Sequence, residues 1–269
     1  MDTFALKLFL TPVLIGSASY AGRRWGEGIG GWLVGLPLTS APVAFFLALD
    51  QAPAFVAAYA HGSLLGVIAE TIFCLGYGGI AGRAPWPVGF ALGTAVFAGA
   101  TLALADVGLG LVPVFLAANA VLALALALLP KGTDGMAQRP PSPWDIPLRM
   151  IVATLLVVGL TAVAPSLGPR LAGIIASFPV FASTLTVFAH REQGAAAAQC
   201  VLRGLVFGLF GFTGFFLTLG FLIEPAGVAP AFAAAIVVNL CVQGASLWAV
   251  RRTRARAAGS SRLFRSDRI

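Results

Sequence analysis

Residues 52–81, APAFVAAYAHGSLLGVIAETIFCLGYGGIA, hold one acid, Glu70, and one histidine, His61, in a run otherwise built of apolar and small residues. A helix needs about 20 apolar residues to cross a hydrocarbon core of about 30 Å. This run exceeds that length, so it must tilt, kink or extend beyond the core. Similar stretches lie on both sides of it, giving nine candidate spans at 4–21, 29–49, 52–81, 86–105, 109–129, 146–164, 170–189, 195–222 and 229–249. Hydrophobic residues make up 59% of the chain and charged residues 10%. A soluble domain carries about 25% charged residues to wet its surface, so the composition excludes that class.

The basic residues test this span count. Arg23, Arg24, Arg83, Lys131, Arg139, Arg149, Arg191 and the seven arginines of the tail at 251–269 all fall on one side of a nine-span topology. Only Lys7 and Arg170 fall on the other side, and Arg203 lies within a span. Positive loops face the cytoplasm, which puts the N-terminus outside and the C-terminus inside. The net charge of +7 is concentrated in the tail. It therefore suits anionic lipid headgroups rather than nucleic acid. The first apolar segment has only Lys7 as a leading positive charge, so it reads as a retained span rather than a signal peptide.

An internal repeat appears at an offset of 142. Gly31-Trp-Leu-Val-Gly-Leu-Pro37 lies over Gly173-Ile-Ile-Ala-Ser-Phe-Pro179, Asp50-Gln51 over Glu192-Gln193, and His61-Gly62 with Gly66 over Arg203-Gly204 with Gly208. Residues 31–78 share eleven identities with the matched stretch without a gap, against roughly four or five by chance in so biased a composition. Spans one to four thus correspond to spans six to nine, with span five unpaired. A single connector reverses the second half, so the expected fold is an all-α polytopic membrane bundle of two inverted four-helix repeats. The expected units are 1–105, the connector and cytoplasmic linker at 106–145, the second repeat at 146–250, and the basic tail at 251–269.

The core of the second half carries Gly173-Ile-Ile-Ala-Ser-Phe-Pro179, then His190-Arg191-Glu192-Gln193-Gly194-Ala195 and Arg203-Gly204. These motifs resemble the short bacterial inner-membrane proteins of the GlpM type and a related family of unknown function, here apparently duplicated. The resemblance implies a multi-pass protein of the bacterial inner membrane. It brings no established activity with it. The first half departs from the pattern at Asp50-Gln51-Ala52 and at His61.

Pro37 and Pro179 fall near the middle of spans two and seven. Thr39 and Ser40 follow the first, and Ser183 and Thr184 the second. Proline removes a helix hydrogen bond and clashes with the preceding turn. Breaks at that depth line substrate sites in transporters; the competing reading is a kinked, continuous helix whose hydroxyls bond their own backbone. His61, Glu70 and Arg203 lie inside spans three and eight, where charge is costly and marks function by default. His61 and Glu70 are nine residues apart, on opposite sides of a straight helix. Depth instead matches Glu70 with Arg203 and predicts an ion pair, either structural or part of a transport site. His61 is either a satisfied interior histidine or a proton carrier. Gly62 with Gly66 and Gly204 with Gly208 predict that spans three and eight cross closely. Cys74, Cys200 and Cys241 have no paired spacing and read as packing residues.

These features imply a small secondary transporter or permease of unknown substrate, with substrate contacts at Pro37, Thr39, Ser40, His61, Glu70, Pro179, Ser183, Thr184 and Arg203. The alternative is a non-transport membrane subunit that assists envelope polysaccharide or lipid assembly. No catalytic residue, metal or cofactor is expected, because no metal-ligand cluster, nucleotide loop or nucleophile elbow is present. The expected partners are the lipid bilayer, anionic headgroups at the tail and a small-molecule substrate. A homodimer is compatible with the sequence, and nucleic acid is not expected.

Overall fold

A computed structural model describes residues 3–37, 40–132, 144–163 and 178–245. Ten helices account for nearly all of them: α1 (Thr3–Trp25), α2 (Glu27–Val34), α3 (Ser40–Asp50), α4 (Pro53–Ile80), α5 (Trp86–Leu104), α6 (Leu111–Leu128), α7 (Asp145–Val163), α8 (Val180–Gln193), α9 (Ala195–Ala226) and α10 (Val228–Ala245). There is no strand among the described residues. Five helices, α4, α5, α6, α9 and α10, are long and apolar enough to cross a membrane. They coincide with five of the nine expected spans. With 28 and 32 residues, α4 and α9 extend to about 42 and 48 Å, longer than a bilayer core is thick. Leucine and other large apolar side chains, among them Leu92, Leu116, Leu124, Ile236 and Leu240, face outward on α5, α6 and α10. Such a surface suits lipid rather than water.

Helix ends follow local chemistry. Proline opens α4 at Pro53, where the missing N–H costs nothing, and Pro87 occupies the same part of α5. Gly26 and Gly194 adopt positive φ of 100° and 91°. Only glycine enters that region cheaply, and each lets one helix follow another with no intervening loop.

The core is organised around α9. It packs against α2, α4, α6 and α8. Its contact with α2 brings backbone against backbone: Gly31 of α2 faces the carbonyl of Val201, Gly204 faces the carbonyl of Gly28, and Gly35 and Gly208 face each other. A Cβ at any of these positions would collide with main-chain atoms that cannot swing aside. Spans three and eight do pack on each other, as α4 and α9, but the expectation that their glycine pairs make that contact is corrected. The glycines of α9 seat α2, and no described atom lies within 4 Å of where a Cβ on Gly62 or Gly66 would stand. The spacing of four marked both pairs as small faces but did not identify the neighbour. A second apolar cluster at the far end of α9 joins Phe215, Phe216 and Leu219 to Ala60 and Leu64 of α4 and Phe232 of α10.

Gly204→Ala should therefore lower stability by about 1–3 kcal/mol through overpacking. Gly62→Ala should be neutral or gain up to about 1 kcal/mol from helix propensity. Equilibrium unfolding in mixed micelles compares them, and equal losses at both positions would contradict the assigned contact.

Candidate functional site

Expected span two is not one helix. Gly35 N–H bonds the Gly31 carbonyl at 3.2 Å, Leu36 N–H bonds the Leu33 carbonyl at 3.2 Å, and helical structure then stops. Pro37 is buried in the gap, and its carbonyl accepts the Ala41 N–H at 2.9 Å as α3 begins at Ser40. Thr39 lies outside the described residues. In the other half, α8 starts immediately after Pro179, whose φ and ψ of −76° and 65° form an inverse γ-turn closed by Val180 N–H to the Phe178 carbonyl at 2.8 Å. Residues 164–177, including the matched Gly173, lie outside the described residues. Ser183 is buried and donates to the Val180 carbonyl at 3.0 Å. Thr184 and Thr186 are also buried, yet neither hydroxyl has a hydrogen-bond partner among the described residues. A buried polar atom without a partner calls for an explanation. These two lie in the second turn of α8.

A charged network gathers at one end of the bundle. Arg149, at 2% exposure, is the largest fully buried side chain among the described residues. Its Nε donates to Asp145 Oδ1 at 2.8 Å, its Nη2 donates to Glu192 Oε2 at 3.0 Å, and its guanidinium lies 5.3 Å from the Phe188 ring centre. Arg23, from the last turn of α1, also pairs with Asp145. Gln193 donates to the buried Glu27 of α2 at 2.6 Å. The network joins the end of α1 and the starts of α2 and α7 to the end of α8. Their loops are ones that the charge reading put on a single face. Nearby, the Tyr77 hydroxyl and His190 Nδ1 lie 3.0 Å apart.

The two carboxyl groups on Arg149 diverge. Burial raises Glu192, a hydrogen bond with Asp145 adds to that, and together they outweigh Arg149 and push it up to about 7. Burial also acts to raise Asp145, but hydrogen bonds with Glu192, Arg149 and Arg23 overcome it and hold Asp145 below its ordinary value. The pair thus keeps one proton, on the Glu192 side, at mildly acidic pH. Arg149 was visible in the sequence only as one of the cations on the cytoplasmic side, Glu192 only as part of the repeat and the family motif, and Asp145 was not singled out. The four-residue spacing of Asp145 and Arg149 was the one available signal.

The expected pairing of Arg203 with Glu70 does not form. Arg203 Nη1 donates to the carbonyls of Leu126 at 2.8 Å and Leu129 at 2.7 Å. The reason lies in α6: the Leu126 carbonyl would accept from the N–H of residue 130, which is Pro130 and has none. The guanidinium supplies the missing donor and sits where a cation favours the helix C-terminus. Glu70 is half-buried in α4 and makes no hydrogen bond or ion pair among the described residues. His61 Nε2 lies 2.7 Å from the Leu109 carbonyl, just before α6 begins, which is the satisfied-histidine reading. His61 and Arg203 therefore stand at opposite ends of α6, about 27 Å apart for its 18 residues, and cannot share one small ligand. Asn119, Gln199 and Gln243 bond main-chain carbonyls of Phe115, Gly78 and Gly208. Cys74 and Cys200 are buried and Cys241 is exposed, all as free thiols.

No protein-family model, curated protein or solved structure matches this chain.

Removing Arg203 leaves two carbonyls without donors, so Arg203→Ala should cost about 1–3 kcal/mol. Adding Glu70→Ala should restore none of it, because the two side chains are not partners; recovery in the double variant would revive the ion pair. The charged network makes a second prediction. Glu192 binds its proton more tightly folded than unfolded. Its contribution is therefore full below its ordinary range near 4.5 and is lost as pH rises to about 7. Asp145 acts oppositely, losing its contribution as pH falls below its ordinary 3.8. The melting temperature should fall between pH about 4.5 and about 7, and Glu192→Gln should flatten that slope while leaving the acid limb in place.

Proposed function

We propose that the chain is a small secondary transporter or permease, working by alternating access between two inverted four-helix halves joined by α6. The observation that carries this reading is that α2 ends before Pro37 and α8 begins after Pro179, with two buried hydroxyls, Thr184 and Thr186, that have no partner among the described residues in the first two turns of α8. Discontinuous helices of this kind bind substrate at mid-membrane in secondary transporters. Pro37, Thr39, Ser40, Pro179, Ser183 and Thr184 form the substrate region in this reading, with Glu70 as its acid. His61 and Arg203 leave the substrate set and become anchors of α6.

The inverted relation draws support from those same anchors. Positions 61 and 203 match in the internal repeat, and they grip opposite ends of the connector helix. A twofold axis across the middle of α6 exchanges them. The complete count of nine spans, the bacterial inner membrane as location, the cytoplasmic tail at anionic headgroups, the homodimer and the GlpM-type kinship belong to this proposal. The ion network of Arg23, Asp145, Arg149 and Glu192 then acts as the latch that holds one mouth closed.

The dry glycine contact of α2 with α9 is what a non-transport subunit for envelope assembly would also need, and one experiment separates the two. Purified protein is screened for thermal stabilisation against a panel of sugars, amino acids, organic acids and amines, since a ligand stabilises the state it binds. Stabilising compounds are then offered to proteoliposomes. Uptake above that of empty vesicles, reduced at least about ten-fold by Thr184→Val with an unchanged melting temperature, supports transport. Stabilisation by none of the panel, with no uptake, favours the assembly subunit.

A further inference from the structure

We propose that Glu70 is the proton-binding carboxyl of this protein, taking up and releasing the proton that couples transport. The inference deepens the transport reading and rests on it. Glu70 lies within α4, about fifteen Å from the nearer end by helical rise, and it is the one acid in the interior of the five long apolar helices; Glu224 is exposed in the last turn of α9. A charge held at that depth without a partner is costly, and binding a proton removes it.

Among the described residues the surroundings offer no other way to neutralise it. Both α5 and α6 pack on α4 and contain no charged residue. From α3 the only charge is Asp50, at its far end. From α9 come Arg203, committed to the carbonyls of Leu126 and Leu129, and Glu224 in the last turn. From α8 come His190, which is engaged by Tyr77, Glu192, which is bound to Arg149, and Arg191, which is exposed. Within α4 itself, His61 is bound at the Leu109 carbonyl and projects from the opposite side of the helix. Glu70 is thus the acid left for a mobile cation.

The same face of α4 is open beside the carboxyl, and in this proposal it is the path of the proton. Gly62, Gly66, Glu70 and Cys74 recur every four residues and so line one stripe of α4. Along it Gly62 is exposed, Gly66 and Glu70 are half-buried, and Cys74 is fully buried. No described atom stands within 4 Å of a Cβ placed at either glycine. The stripe leads from the α4 end near Leu109 to the carboxyl and closes beyond it. An O–H bond forms at a Glu70 oxygen with a proton drawn from water along the stripe. It breaks when the carboxyl next meets water from the opposite side, so each cycle carries one proton across.

Dicyclohexylcarbodiimide, which modifies protonated carboxyl groups in apolar surroundings, tests this on the full chain in phosphatidylcholine vesicles. Mass spectrometry should find Glu70 modified in preference to Asp50, Asp106 and Glu224. The yield should fall by at least about ten-fold between pH 6 and pH 9 as the proton is lost. Glu70→Gln, which copies the neutral acid, should abolish that adduct and keep the parent's melting temperature at pH 6. An unmodified Glu70 at pH 6 would overturn the proposal. So would protection of Glu70 by sodium or potassium chloride relative to choline chloride, which would make it a metal-cation site. A large fall in the melting temperature of Glu70→Gln would mark a structural carboxyl and overturn it equally. Labelling needs no transported compound, so its failure leaves the uptake experiment to judge transport by itself. Labelling as expected beside an inert uptake assay would count against transport alone.

Discussion

Everything in the core depends on the contact between the main chains of α2 and α9. Apolar side chains gain little by leaving lipid for protein, so helices in a membrane are held by close packing. Here the packing reaches its limit: Gly28, Gly31 and Gly35 on one helix and Gly204 and Gly208 on the other let carbonyl groups rest against α-carbons. That contact fixes α2 along its axis as well as sideways. Its end at Val34 is thereby set against the middle of α9, and its start places Glu27 within reach of Gln193. The position of the helix break and that of the charged end are both consequences of glycine spacing.

The charged network acts on a different scale. Burying Arg149 strips it of water, and only the combined hydrogen bonds of Asp145 and Glu192 make its position tolerable. Such a group adds little net stability but penalises every arrangement in which it is unpaired. Close packing chooses how near the helices come, and the ion network chooses which ends meet. Neighbouring carboxyl groups with opposed proton affinities on one arginine make this choice responsive to pH.

Much of the fold was legible in the sequence. Long apolar runs gave α4, α5, α6, α9 and α10 within a few residues, because in lipid the backbone must satisfy its own hydrogen bonds and a long apolar run has few alternatives. The proline at 37 marked a real interruption, between α2 and α3. Partnership was far less legible. Glycine pairs announce a small face without naming the helix that fills it, so the stripes at 62–66 and 204–208 suggested each other when α2 was the true neighbour of the second. Depth along a helix matched Arg203 with Glu70, but a one-dimensional ruler cannot report a carbonyl left bare by Pro130. That signal was present as a proline after an apolar run, and it went unused because main-chain acceptors leave no letter in the sequence. The cluster around Arg149 was hidden for a related reason: its members sit at helix ends that are separated by long stretches of chain and meet only in space.

The cap that Arg203 places on α6 bears on how the protein is made. Synthesis proceeds from the N-terminus, so α6 and its bare carbonyls enter the membrane before Arg203 leaves the ribosome. A lone arginine deep in an inserting helix costs about 2.5–3.5 kcal/mol, and α9 meets acceptors already waiting for it. The order of genetic encoding thus becomes an assembly instruction. A second half produced without the first would reach the bilayer with its guanidinium unhoused, whereas a first half produced alone would lack only the donor to two carbonyls.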